Sequence, residues 1–462
     1  MDCNDSKTLG MTRVVVAGAG LVGLCTAYYA TKAGAEVLVL DRGEIGAGAS
    51  LGNAGWLATS LSGPLPGRGL ARVALASLLD RDGAFRLPWR QAVPSLPWLW
   101  QFRRFCNEPA YQRGLEATAG LARESLALYD GLAADGVQFH MASTGLLYVA
   151  QSQEKAEIAR KALVPLAVFG VDAGPLLQGP DLCSLEPSLT NRELSGFLVA
   201  SDRSVDPGSL LHGLVDRLVQ MGVEIRTGAE VEDIESRDGW VRAVRVDGAR
   251  YPADTVVLAT GARTGQLAAR SRLRLPMRAG TGYSFSVSPP MVPARPLYLV
   301  EAKVAITPMP NRVRVTGGFD LTGVNAALRG TRVQAVAAAA SAYAGWTVGR
   351  REDSWVGSRP VLPDGLPAVG AVPHVGGLYV NSGHGMLGVT LAAASGKMLV
   401  DVINQGLSDV PLDPFAPARF DRRRWPKRPR AESGSGLRTR AGRGSRSGSA
   451  PTRRLGRGSP NE

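Results

Sequence analysis

The feature that most constrains this chain is an ordered strand, glycine turn, helix and strand near its start. Residues 12–16 read Thr-Arg-Val-Val-Val, a short β-branched strand signal. Gly18-Ala19-Gly20-Leu21-Val22-Gly23 follows and opens a helical stretch over residues 21–33, ended by Gly34. A second strand, Glu36-Val37-Leu38-Val39-Leu40, ends at Asp41. This order fits a dinucleotide-binding turn, with Gly18 permitting the tight bend and Gly20 admitting a pyrophosphate to the backbone. Gly23 lets helix and strand pack closely. The N–H groups at Leu21 and Val22 open a helix whose N-terminus favours phosphate. Asp41, 18 residues after Gly23, is placed to accept ribose hydroxyls and to repel a 2′-phosphate, which argues against NADP. A plain glycine turn with a solvated Asp is the alternative reading, and the presence of every element in order weighs against it.

Composition limits the rest. The 462 residues suit two or three domains, and a hydrophobic content of 45% supports a sizeable core. The four cysteines, Cys3, Cys25, Cys106 and Cys183, form no CxxC pair, so neither a disulfide framework nor a zinc site is indicated. His140, His212 and His374 are isolated, and no set of residues has metal-ligand spacing. The net charge of +13 is concentrated at the end of the chain. Residues 416–462 hold 14 basic and 3 acidic residues, leaving the preceding body with 39 and 37. The body therefore carries no charge signature of an anionic polymer as partner. No apolar run has the length of a transmembrane helix. The first ten residues are polar, without a signal-peptide core, and Met11 offers a second start. The expected location is the cytoplasm, with a contact at the inner face of the cell membrane left open.

Along the chain, residues 43–70 read as loop, 113–135 as helix, 185–207 as irregular and 210–221 as helix. Residues 223–225, 231–246 and 255–259 read as strands. The apolar and polar alternation over 273–319 indicates antiparallel sheet. Residues 334–344 read as an alanine-rich helix, 377–381 as a strand and 387–403 as a long helix. From about residue 431, Gly, Ser, Arg and Pro dominate and disorder is expected. The fold class is α/β: a Rossmann-like domain with a second, mixed α+β domain dominated by antiparallel sheet.

The fingerprint alone does not separate FAD from NAD. Two later stretches favour FAD. Residues 254–262 form an apolar strand ending in Thr260-Gly261. Residues 377–388 run from a strand through Ser382-Gly383-His384-Gly385-Met386-Leu387-Gly388 into a helix, giving a second helix N-terminus that can face the flavin ring where negative charge builds on reduction.

With these pieces in order the sequence resembles the FAD-dependent D-amino-acid oxidase superfamily, and within it the bacterial D-amino-acid dehydrogenases of small-subunit type. The resemblance runs over about residues 12–410. It rests on residues 14–23, Ser50-Leu51-Gly52-Asn53-Ala54-Gly55, Gly282-Tyr283-Ser284, residues 303–307 and 311–315, Gly357-Ser358-Arg359-Pro360, residues 363–367 and residues 382–385. It implies non-covalent FAD, since relatives that tether the flavin do so through a cysteine near residues 359–365 and none stands there. It places Arg42, Ser50, Asn53, Ala54, Gly55, Val231, Gly261, Gly383, Gly385, Met386, Leu387 and Gly388 beside Gly18, Gly20, Leu21, Val22, Gly23 and Asp41 as cofactor residues. The implied domains are an FAD-binding domain of residues 11–84, 196–272 and 355–410, a substrate domain of 85–195 and 273–354, and a basic tail of 411–462.

The implied reaction is oxidation of a D-amino acid, by hydride transfer from Cα to flavin N5, to an imine that water turns into a 2-oxo acid and ammonia. Electrons would pass to a quinone-type acceptor. Arg359 matches the arginine that grips the substrate carboxylate, a bidentate pairing suited to guanidinium. Tyr283, Lys303 and His384 are further candidates on the substrate or flavin side. For each, a packed aromatic, a solvated lysine or a turn-filling histidine is the competing reading. Ser358, Met386, Val389 and Thr281 depart from the family pattern, and they bear on which substrate is used. A glycine, sarcosine or hydroxyproline type of amine oxidase or dehydrogenase is the close alternative.

Two segments lie outside this scheme. Residues 96–105 mix Trp98, Trp100, Phe102 and Phe105 with Arg103 and Arg104, which suits either a helix with buried tryptophans or a membrane-interface segment. The tail could attract nucleic acid or anionic lipid, but it lacks the aromatics for base stacking, so nucleic acid is not the expected partner. A flavin fold that has lost catalysis and acts through this tail is the reading from another class.

Overall fold

The computed structural model describes residues 12–67, 85–344 and 348–420. The expectations for the first ten residues, for Met11 and for the tail beyond 420 fall outside them.

A six-stranded sheet carries the dinucleotide turn. Its order is Glu224–Arg226, Glu36–Leu40, Arg13–Ala17, Thr255–Leu258, Leu378–Ser382 and Ala368–Ala371. The first five strands run parallel and the last antiparallel. The β-branched run of the first strand is buried on both faces, as a central parallel strand requires. Val14 and Val16 face a helical layer, while Val15 and Ala17 face the opposite layer. The helical layer contains Leu21–Lys32, Pro207–Gln220 and Gly388–Gln405. The opposite layer contains the antiparallel meander Asp233–Arg237, Trp240–Val246 and Ala249–Pro252 with the short helix Thr264–Arg270.

A nine-stranded mixed sheet stands beside this unit, mostly antiparallel, with two parallel pairings. Arg278–Val287 lies between Glu352–Val361 and Arg312–Thr322, both antiparallel to it. One face of these strands packs on the alanine-rich helix Gly330–Ala344 through Tyr283, Phe285, Val313 and Val315. A three-stranded sheet of Trp56–Leu57, Arg203–Val205 and Met141–Ala142 completes the body.

Two sequence expectations change. Residues 185–207 are not irregular: Ser195–Val199 is a buried strand of the large sheet, and its Ser-Gly start hid the apolar run that follows. The loop expected over 43–70 contains the short strand at Trp56, and residues 68–70 lie outside the described residues. Of the two readings of residues 96–105, the helical one agrees with the structure: Trp89–Phe105 is a continuous helix with Pro94 and Pro97 inside it. Those prolines remove N–H donors, and Arg278 donates to the Pro94 carbonyl from the neighbouring sheet. No helix among the described residues is long and apolar enough to cross a membrane.

Candidate active site

A cleft of about 970 Å³ runs along the carboxyl ends of the parallel strands, where open α/β sheets place their ligands. At one end lie Asp41, Arg42 and Val231, in the middle Gly18, Gly20, Leu21 and Val22, and towards the other end Arg359, His384, Gly385 and Gly388. Ser50, Asn53 and Gly261 also line it, as do Ser358 and Val389, two of the departures from the family pattern.

The turn is built as its glycines require. Gly18 has φ +115°, open to glycine and strained for other residues. Gly23 touches the turn from inside the helix: a Cβ there would stand 1.9 Å from the Gly18 carbonyl oxygen. Gly23 therefore packs the helix and leaves the cleft lining to its neighbours. Gly20 is the N-cap of the helix with no side-chain cap, and a Cβ on it would lie 3.2 Å from Ser50 Oγ. Ser50 Oγ accepts from Leu21 N–H at 3.1 Å. Asp41 accepts from Ala19 N–H at 2.7 Å through Oδ2 and from Gly43 N–H at 2.9 Å through Oδ1. Each carboxylate oxygen retains acceptor capacity for a ribose hydroxyl. A helix N-terminus whose N-cap residue carries no side chain, a glycine floor and a carboxylate at the strand end fit a dinucleotide cofactor. None of the described cysteines lines the cleft.

The late glycine turn joins the cofactor end to the large sheet. Gly385 N–H donates to the Pro360 carbonyl at 2.9 Å, beside Arg359. His384 is buried, with Nε2 3.0 Å from Ser395 Oγ, and burial lowers its pKa to about 3, so it is neutral at ordinary pH. Hydroxyls to which the sequence assigned no role connect the two later strand ends. Thr264 Oγ1 donates to Ser382 Oγ at 2.9 Å, and Ser382 donates to the Gly261 carbonyl at 3.1 Å. Ser382 ends the strand before the glycine turn, the one signal that could have found it.

Arg359 reaches this cleft from the edge of the large sheet, opposite Gly280. Its Nη1 donates to the Gly318 carbonyl at 2.8 Å. Among the described residues no carboxylate stands within ion-pair distance of it. Burial lowers its pKa to about 10, opposed by Asp320, so it stays cationic near neutral pH. A half-buried guanidinium without an acid partner among the described residues, facing a cleft, is built to meet an incoming carboxylate.

Other candidates sit elsewhere. Tyr283 points into the core beneath the sheet, where its hydroxyl donates to Asp320 Oδ2 at 3.1 Å. Burial and Asp320 push its pKa up to about 12. It does not line the cleft, and its partner lies 37 residues away, beyond any sequence pattern. Lys303 is exposed, at φ +54°, with Nζ 5.5 Å from the Tyr298 ring centroid. Ala54, Gly55, Gly383, Met386 and Leu387 flank the cleft without lining it. Gly55 instead packs a Cα on the Val205 carbonyl, and Met386 is 56% exposed.

The comparisons agree with this geometry. Residues 13–402 match the FAD dependent oxidoreductase family, so the chain belongs to that family of flavoproteins and is an FAD-dependent oxidoreductase. It is 32% identical over 403 residues to a D-amino acid dehydrogenase of Cereibacter sphaeroides, covering 85% of this chain and 92% of that one. Its fold is shared with glycine oxidase from Bacillus cereus, with a TM-score of 0.68 at 20% identity over 87% of this chain and 97% of that one. It is also shared with the FAD-bound L-α-glycerophosphate oxidase of Mycoplasma pneumoniae, with a TM-score of 0.66 at 16% identity over 86% and 96%.

Proposed function

We propose that the protein oxidises D-amino acids to 2-oxo acids and ammonia, as its D-amino acid dehydrogenase relative's name describes for that protein. In this reading the parallel-sheet part holds the cofactor and the nine-stranded sheet presents the substrate. FAD, when bound, accepts the hydride that leaves Cα together with its electron pair. The chain's own residues bind and orient. Arg359 takes the substrate carboxylate through the guanidinium edge not given to Gly318. His384, neutral and buried, holds the late turn against Ser395 and supplies no charge that would compete for the carboxylate. Hydrolysis of the imine needs no protein nucleophile, which accords with a cleft whose histidine is buried and neutral.

The observation that carries the reading is the cationic Arg359, without an acid partner among the described residues, at the end of the cofactor cleft. Replacing it tests the assignment. Arg359→Ala should weaken use of D-amino acids by roughly 1.5–3 kcal/mol in kcat/KM, the scale of a charged hydrogen bond, while the corresponding amides lose little. Equal losses on acids and amides would remove Arg359 from this role.

For the electron acceptor we propose a quinone reached at a membrane surface. The support is the helix Trp89–Phe105, whose Trp98 and Phe102 are buried while Trp89 and Trp100 are 78% and 55% exposed. Trp89, Val93, Leu96 and Trp100 recur at helical spacing as one exposed apolar stripe, and the Arg104 guanidinium lies 3.5 Å from the Trp100 ring centroid.

A further inference from the structure

The segment Asn311-Arg312-Val313-Arg314-Val315 has no part in the cofactor cleft. Val313 and Val315 face the helix Gly330–Ala344, which turns Arg312 and Arg314 to the other face of the large sheet. There a second cavity of about 550 Å³ opens, and it shares no lining residue with the cofactor cleft. Trp355 forms one wall, its indole packed where a Cβ on Gly52 or Gly357 would fall. Arg314 lines this cavity and is 6% exposed. Its Nη1 donates to Ser284 Oγ at 3.2 Å, and its Nε has no partner. Among the described residues no carboxylate stands within ion-pair distance of it. Arg312, in contrast, is paired: its Nη2 lies 2.9 Å from Asp206 Oδ1, which also accepts Gly208 N–H at 3.0 Å at the head of the helix Pro207–Gln220. The other acid of the wall, Asp353, is exposed, at φ +47°, where the strand Glu352–Val361 shifts register between Ser284 and Ser286. His140 and His212, also on the wall, are exposed.

We propose that this cavity is a second binding site, for a small oxyanion, a carboxylate or a phosphate, with Arg314 as its anchor. The site is independent of the reading of Arg359 as the substrate arginine. A guanidinium nine-tenths removed from water and without a counter-ion is costly to keep charged. A bound oxyanion supplies the missing charge together with charge-assisted hydrogen bonds. The two acids of the wall do not fill that role. Asp206 is committed to Arg312 and to the Gly208 N–H, and the charge of Asp353 is screened by the solvent it faces. Gly208 and Ser209 bring the positive end of their helix to the same wall. The volume lies within the range of small-molecule pockets, about 300–1,000 Å³.

The test is titration calorimetry of the purified holoenzyme with inorganic phosphate and with acetate at constant ionic strength. At least one of the two should bind saturably at a site that Arg314→Met weakens at least tenfold and Arg359→Met changes less than twofold. The tighter probe names the source: phosphate a phosphorylated ligand, acetate a carboxylic acid. Binding that falls in Arg359→Met and persists in Arg314→Met would place the anion in the cofactor cleft and overturn the proposal. Uptake equal in the parent and in Arg314→Met would assign it to the basic tail and overturn it as well, as would no saturable uptake by the parent. Where Arg314→Met does not fold, Asp353→Asn decides, since asparagine tolerates the left-handed backbone of that position. Removing that acid should tighten binding at least twofold, and unchanged or weaker binding would contradict an oxyanion beside Arg314.

Discussion

The Arg359 guanidinium lies directly over Gly282: a Cβ added there would stand 2.3 Å from Nη2 and 2.4 Å from Cζ. Gly282 faces Gly357 across the strand pair, and there a Cβ would meet the Trp355 ring instead, so the missing side chain at Gly282 is the one that makes room for the guanidinium. Gly282→Ala should push Arg359 off its hydrogen bond to Gly318. Steady-state kinetics should show at least a tenfold fall in kcat/KM on carboxylate substrates, about 1.4 kcal/mol, with flavin content unchanged. An alanine variant with normal kinetics would mean that Arg359 does not hold the substrate from this position.

The cofactor end gives a second prediction. A Cβ at Gly23 meets the backbone oxygen of Gly18 at 1.9 Å, and backbone cannot yield as a side-chain tip can. Gly23→Ala should open the turn, cost about 1–3 kcal/mol of stability as overpacking does, and give protein purified with less than a tenth of the normal flavin. The ratio of flavin to protein absorbance checks it.

The cofactor half of the site was legible because its determinants are local. Gly18 to Asp41 spans one strand–helix–strand unit, and each residue's role follows from its place in that unit. The late turn was legible in part: His384, Gly385 and Gly388 reach the cleft, while Gly383, Met386 and Leu387 do not. The substrate half was not. Tyr283 reads as a sheet aromatic near the substrate, but the hydroxyl of Asp320's partner turns inward because Asp320 and Arg332 come from a strand and a helix far along the chain. Gly282 gave no hint that its missing side chain makes room for Arg359. The strand Ser195–Val199 escaped notice because its Ser-Gly start hides the short apolar run and its mostly buried residues show no alternation to read. The helix over residues 89–105 is one of two readings of that segment, and tertiary packing of Trp98 and Phe102 stabilises it with Pro94 and Pro97 inside.

His384 predicts a pH dependence. Its folded pKa is about 3, below the ordinary value near 6.5, because burial disfavours the imidazolium. The unfolded chain therefore takes up a proton first as pH falls. The stability that the neutral histidine contributes is present above pH 6.5 and is lost progressively as pH drops towards 3, at up to about 1.4 kcal/mol per unit. Denaturant titrations of His384→Gln between pH 7 and 4 should show a shallower decline than the parent. Parallel declines would assign the acid sensitivity to other groups.

The exposed stripe on the helix Trp89–Phe105 can be tested apart from catalysis. Trp89→Asp/Trp100→Asp should reduce sedimentation with anionic phospholipid vesicles at least tenfold and leave flavin reduction by substrate unchanged. If the unaltered protein stays in the supernatant, the proposed route to a membrane quinone is wrong.

The most direct test of the central claim is the absorbance spectrum of the purified protein during anaerobic addition of D-amino acids, each beside its L-form and beside glycine, sarcosine and hydroxyproline. The account predicts oxidised flavin bands that bleach with at least one D-amino acid and persist with its L-form. Bands that bleach only with the secondary amines or glycine, or that bleach with nothing, would contradict it.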